Sequence, residues 1–146
     1  MNTAFFDFTV YNISETGNFN QWLSGDNQRR ILIGFLDEQH EMLELFLNKI
    51  ISAAKIDLEK DCLILRGSQE NLSIPTFAHI KSFDKIEKAV LFGLTGKDLG
   101  LNIETHLYIP FVFNNCQFMF ADKLSLIESS MERKKALWNG LQTLFL

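Results

Sequence analysis

The stretch RRILIGFLDEQHEMLELFLNKIISAAK, residues 29–55, constrains this chain more than any other. Ile31 to Leu36 is a continuous apolar run, which a strand needs when both faces of its sheet are covered. Beyond it the period changes. Leu43, Phe46, Leu47, Ile50, Ile51 and Ala54 recur at helical spacing and form one apolar stripe. Asp37 fits the N-cap of that helix, with Glu38 and Glu41 near the positive end of its dipole. A buried strand followed by an amphipathic helix is the first half of a β–α–β unit.

The second half follows at once. DCLILRG, residues 61–67, is another short apolar run ending at a glycine. Pro75 opens a helical stretch through TFAHIKSFDKIEK, and KAVLFGL (88–94) is a third apolar strand. Buried strands separated by helical connections predict a mainly parallel sheet with right-handed crossovers. The expected fold is a three-layer α/β sandwich, with about four to five strands and helices on both faces.

The remaining elements are shorter. In TGKDLGL, Thr95 and Asp98 predict a capped helical turn. LYIPFVFNNCQFMFAD (107–122) holds two aromatic-rich runs around Asn114-Asn115, as a hairpin or a bent strand requires. Pro110 belongs at its edge or start. Asp122 is placed to cap a short helix, KLSLIES. Ser129 and Glu132 form a capping box for the last helix, whose stripe is Leu137, Trp138, Leu141, Leu144 and Phe145.

The whole chain, 146 residues, reads as a single domain. It carries 18 acids against 14 bases, a net charge of −4. Asp7, Glu15 and Asp26 put −3 of this into residues 1–28, leaving −1 for residues 29–146. Nucleic-acid binders draw affinity from displaced phosphate counterions and advertise a basic face. This chain does not, so strong direct nucleic-acid binding is not expected. No apolar stretch approaches a membrane span, and the N-terminus lacks the basic start of a signal peptide. Cys62 and Cys116 lie far apart in apolar runs and read as buried thiols, which implies a reducing, cytoplasmic setting.

Chemistry-bearing residues do not converge on a motif. His40, His79 and His106 have no partner at metal spacing. Gly93, Gly96 and Gly100 match neither phosphate-cradling loop pattern. Asp37, Glu38 and Glu41 are ordinary at a helix start. No cofactor is expected. If a small molecule or nucleotide binds, its pocket belongs at the carboxyl ends of the strands, near Asp37, Gly67 and Gly93.

Two segments suggest a protein partner instead. Residues 1–28 hold Phe5, Phe6, Phe8 and Trp22 in a polar setting, as an edge strand or hairpin of the sheet, or as a flexible arm of aromatic anchors. The last helix places Arg133, Lys134 and Lys135 at the wrong end of its dipole, just before Trp138. The three ordinarily read as a solvated first turn; the misfit costs only about a few tenths of a kcal/mol each and slightly favours an acidic partner outside.

The order strand–helix–strand–helix–KAVLFG–loop–strand–helix resembles the uracil-DNA glycosylase fold. Active members carry a Gly/Pro-rich loop after the first strand and a His-Pro-Ser type motif after the fourth. Here those places read LDEQHE and FNNCQFMFAD. The closing stretch LSLIESSMERKKALWNGLQTLF, about 25 positions around Ala136-Leu137-Trp138, is similar to the psi subunit family of bacterial DNA polymerase III, a catalytically silent branch of that fold. The resemblance implies a non-enzymatic bridging subunit. Its N-terminal arm would engage the clamp loader, and another face would engage the chi subunit, which contacts single-strand-binding protein. Phe5, Phe6, Phe8, Trp22, Arg133, Lys134 and Trp138 are then the candidate partner-binding residues.

Overall fold

The computed structural model describes residues 23–38, 40–68, 76–78, 80, 85–104 and 106–145. Its strands are β1 (Leu23–Ser24), β2 (Ile31–Asp37), β3 (Cys62–Ser68), β4 (Lys88–Phe92), β5 (Phe111–Phe113) and β6 (Cys116–Ala121). They form one mixed sheet in the order β1-β3-β2-β4-β6-β5. The three inner pairings, β3 with β2, β2 with β4 and β4 with β6, are parallel. The outer strands β1 and β5 pair antiparallel. Four α-helices, α1 (Glu41–Ala53), α2 (Leu58–Asp61), α3 (Leu124–Glu128) and α4 (Met131–Phe145), and a short 3-10 helix, Lys97–Leu99, complete the described elements.

Alternation along the inner strands divides the core in two. Ile31, Ile33 and Phe35 of β2 join Val90, Phe92 and Met119 beneath α1, α3 and α4. Leu32 of β2 faces the other way, with Leu65, Leu91, Phe118, Phe77 and Ile80. Both sides of the sheet are therefore dry, and that is why these strands read as unbroken apolar runs.

Several local expectations hold. Asn114 and Asn115 both adopt positive φ, 55° and 61°, and make the tight turn of the β5–β6 hairpin. Pro110 immediately precedes the edge strand β5. Thr95 and Asp98 exchange reciprocal bonds, Thr95 N to Asp98 Oδ2 at 2.9 Å and Asp98 N to Thr95 Oγ1 at 3.2 Å. Within the N-terminal stretch, Leu23–Ser24 is an edge strand on β3. Residues 1–22 lie outside the described residues, as does His79.

Three capping expectations are corrected. Asp37 ends β2 rather than starting α1, and its carboxylate lies 3.7 Å from Arg66. His40 is the cap, its Nδ1 accepting from Met42 N. Asp122 does not cap α3, because Tyr108 and Arg133 both donate to it. Ser130, not Ser129, accepts from Arg133 N at the start of α4. The helix expected from Pro75 through Lys88 does not reach residues 85–87, which are non-helical and lead directly into β4.

A short helix was also missed, and the sheet is wider than expected. Asp57 Oδ1 accepts from Glu59 N and Lys60 N and so starts α2. The backbone of residues 26–29 then lies on α2, with Asp26 N to Glu59 O at 2.8 Å and Arg29 N to Asp61 O at 3.0 Å. This docking delivers β1 to the free edge of β3. Among the described residues, no helix is long and apolar enough to cross a membrane.

Candidate partner-binding surface

Helices α1 and α4 share one face of the sheet and run in the same direction. α1 follows β2, α4 follows β6 by way of α3, and each returns towards the amino ends of the strands. Lys88, the first residue of β4, meets the carbonyl of Leu144 in the last turn of α4. Between the two helices lies a groove of about 260 Å³. Phe46, Ile50 and Ala53 of α1 form one wall, and Leu137, Trp138 and Leu141 of α4 form the other. Among the described residues, Lys49 and Lys134 are its charged lining and no carboxylate lines it.

The sequence explains both walls. Phe46, Lys49, Ile50 and Ala53 are spaced i, i+3, i+4, i+7, as are Lys134, Leu137, Trp138 and Leu141. Each stripe is wider than the sheet can cover. Leu43, Leu47 and Ile51 reach the core, while Phe46 and Ile50 stay half-buried at its margin. Leu137 and Leu141 are buried and Trp138 is half-buried. Lys134 places its Nζ 5.8 Å from the centre of the Phe46 ring, within cation–π range across the groove.

Arg133 behaves differently from Lys134. Its Nε donates to Asp122 Oδ2 at 3.0 Å, and Tyr108 donates its hydroxyl to the same oxygen at 2.7 Å. Burial, then the bond to Asp122, pushes the Tyr108 hydroxyl well above the usual tyrosine range. A phenol held neutral in this way is neither base nor nucleophile at physiological pH. The cluster clamps the loop before β5 onto the start of α4. Tyr108 N also donates to Phe120 O at 2.7 Å, while the residue adopts φ 67°.

The carboxyl ends of the inner strands hold polar groups that engage one another. Ser125 donates through its N and its Oγ to the two oxygens of Glu38, at 3.1 and 2.6 Å. Gly93, at φ 75°, is overlain by neighbours: an added Cβ would lie 2.8 Å from Lys123 Cβ and 3.2 Å from Leu36 Cβ. This contact packs the turn after β4 closely against Lys123 and Leu36. A wider cleft of about 820 Å³ flanks the other side of α1. Arg66 in its lining lies 2.8 Å from Glu44, 3.7 Å from Asp37 and 5.1 Å from the centre of the Phe35 ring, and Glu41, Asp57, Glu59 and Asp61 also line it. No cluster of three or more His, Cys, Asp or Glu side chains suited to a metal occurs among the described residues.

Of the residues singled out from the sequence, the structure brings Lys134 and Trp138 together on the groove. Arg133 is turned away to Asp122. Phe5, Phe6, Phe8 and Trp22 lie outside the described residues. Phe46, Lys49, Ile50 and Ala53 were not foreseen as surface. Their i, i+3, i+4, i+7 spacing was visible, but its apolar members read as core. Compared with known proteins, the chain matches no family model and no curated protein.

Proposed function

We propose that this chain is a non-enzymatic protein-interaction subunit, a psi-like bridging component of a bacterial clamp-loader assembly. The observation that carries the interaction reading is the apolar groove between α1 and α4, lined by the half-buried aromatics Phe46 and Trp138. Such aromatics at a desolvated groove are the usual anchors of protein recognition. The strand ends favour the same reading, because Glu38, Ser125 and Gly93 are engaged within the protein.

The finer fold assignment belongs to this proposal too. A uracil-DNA glycosylase-like, catalytically silent domain is in keeping with four parallel strands followed by a terminal helix through Ala136-Leu137-Trp138. Clamp-loader subunits are the proposed partners, and the cytoplasm the proposed location.

The test is affinity capture on the tagged full chain, with purified clamp-loader subunits and single-strand-binding protein as prey. Retention of clamp-loader subunits is expected, weakened by Phe5→Ala with Phe6→Ala and by Trp138→Ala. If none is retained, the psi-like assignment fails. Cleavage of uracil-containing DNA by the purified chain would exclude the non-enzymatic reading.

A further inference from the structure

We infer that the groove between α1 and α4 receives an amphipathic helix from an acidic partner protein, apolar side inward and carboxylates against Lys49 and Lys134. This rests on the reading of the chain as an interaction subunit and names the chemistry of what it takes.

Length and shape come first. The walls run from Phe46 to Ala53 and from Lys134 to Leu141. Each covers two helical turns, about 10 Å at 1.5 Å per residue. Both walls are helices running in the same direction. A third helix can lay its own stripe between them, ridge into groove. An extended segment fits less well. Among the described residues, its backbone N–H and C=O groups would face side chains that offer no acceptor, and as donors only the two lysines and the Trp138 indole N–H. A helix satisfies its own backbone.

Charge decides the partner's sign. The two faces of α1 differ: Glu41 and Glu44 line the cleft shared with Arg66, while Lys49 is on the groove side. Lys134 stands opposite, across the Phe46 ring. A basic helix would bring like charges together, and an acidic one would pair them. Arg133 takes no part, being bound to Asp122.

The experiment measures binding of a fluorescent amphipathic peptide of about 15 residues, the length at which isolated helices begin to persist in water. Its leucines are spaced i, i+3, i+4, i+7 and its flanks are glutamates. A twin peptide carries lysines in place of the glutamates. The full-length chain should bind the glutamate peptide about tenfold more tightly, two charge pairs each contributing a fraction of that factor. Lys49→Glu with Lys134→Glu should invert the preference. Ala53→Arg, at an exposed helical position, should abolish binding without moving the melting curve. Trp138 emission, read with Trp22→Phe, should shift to the blue on binding.

Equal affinity for the two peptides, or binding indifferent to Ala53→Arg, would overturn the inference. So would tighter binding after Phe5→Ala, Phe6→Ala and Phe8→Ala together, because the chain's own N-terminal segment would then compete for the groove. The peptide series also separates this inference from the proposed function. Clamp-loader capture unchanged by the double lysine reversal sinks the groove assignment alone. A peptide series that behaves as expected, with no clamp-loader capture, sinks the psi-like assignment alone.

Discussion

The ammonium of Lys88 donates a 2.7 Å hydrogen bond to the carbonyl oxygen of Leu144, joining the first residue of β4 to the last turn of α4. The same Nζ stands 5.2 Å from the centre of the Phe145 ring. A cation here meets the negative end of the helix dipole and an otherwise unsatisfied terminal carbonyl. Lys88→Met keeps the aliphatic stem and removes the charge together with its hydrogen bond to Leu144. It should cost about 1–2 kcal/mol in urea unfolding. For a domain of this size that is a fall in Tm of about 2–8 °C. Lys97→Met, at an exposed turn, is the control and should stay within about 0.5 kcal/mol. Equal effects would show that the Lys88 bond contributes nothing.

Cys62 is fully buried, and burial pushes its thiol from 9.0 up to about 12, with the Asp61 carboxylate adding to the shift. The thiolate is the reactive form, so at pH 8 the folded chain holds roughly a thousandfold less of it at this position. Labelling with a thiol reagent should be negligible at both cysteines in the folded chain and rapid in guanidinium. The shift also sets a sign for stability. Between pH 9 and about 12 the folded chain keeps a proton that the unfolded chain releases, so stability should fall as pH rises through that window. Prompt labelling of the native chain would contradict the burial.

Tyr108 adds a second dependence on alkaline pH. Its hydroxyl is bonded to Asp122 and titrates above the ordinary tyrosine value. Its contribution is complete below about pH 10 and is lost as pH rises beyond that. Tyr108→Phe leaves Asp122 with Arg133 as its remaining side-chain donor. The expected cost near neutrality is about 1 kcal/mol, with a shallower decline of stability above pH 10. Parallel stability curves for the variant and the parent would refute this account.

How far the sequence could be read follows from which interactions are local. Ile31–Leu36 and Lys88–Phe92 were legible as covered strands because both of their faces are dry, and no partner had to be known. Asn114-Asn115 was legible because only a few residue types accept positive φ at low cost. Asp37 and Asp122 misled because arginines distant in sequence, Arg66 and Arg133, recruit their carboxylates. Phe46 and Ile50 belong to a helical stripe that fits core and groove equally well. Only the position of α4 assigns them to the groove. Lys134 and Trp138 were recognisable on one helix, but Lys49 gained meaning only when α1 came to lie beside it.

Gly140 tests the packing of α4 on the sheet. In an exposed helix, alanine would gain about 1 kcal/mol over glycine. Here a Cβ would land on Met119 Sδ and stand 3.0 Å from the carbonyl oxygen of Tyr108. Met119 is fully buried and the carbonyl belongs to the clamped loop, so neither has room to yield. Gly140→Ala should therefore destabilise by about 1–3 kcal/mol. A stabilised variant would mean that α4 stands further from β6.

Trp138 and Leu141 are neighbours on α4 with different environments. Leu141 has 0% exposure and sits in the core over the sheet, so Leu141→Ala should cost about 2–5 kcal/mol. Trp138 is larger but half-buried, and its outer side lines the groove. Trp138→Ala opens a solvent-filled notch rather than a sealed cavity, so its cost should be nearer about 1 kcal/mol. Binding should show the reverse order, because the indole is the anchor a partner would cover. Trp138→Ala should lose most affinity for the glutamate-flanked peptide while melting close to the parent. Equal destabilisation by the two substitutions would make Trp138 a core residue and remove one wall of the groove.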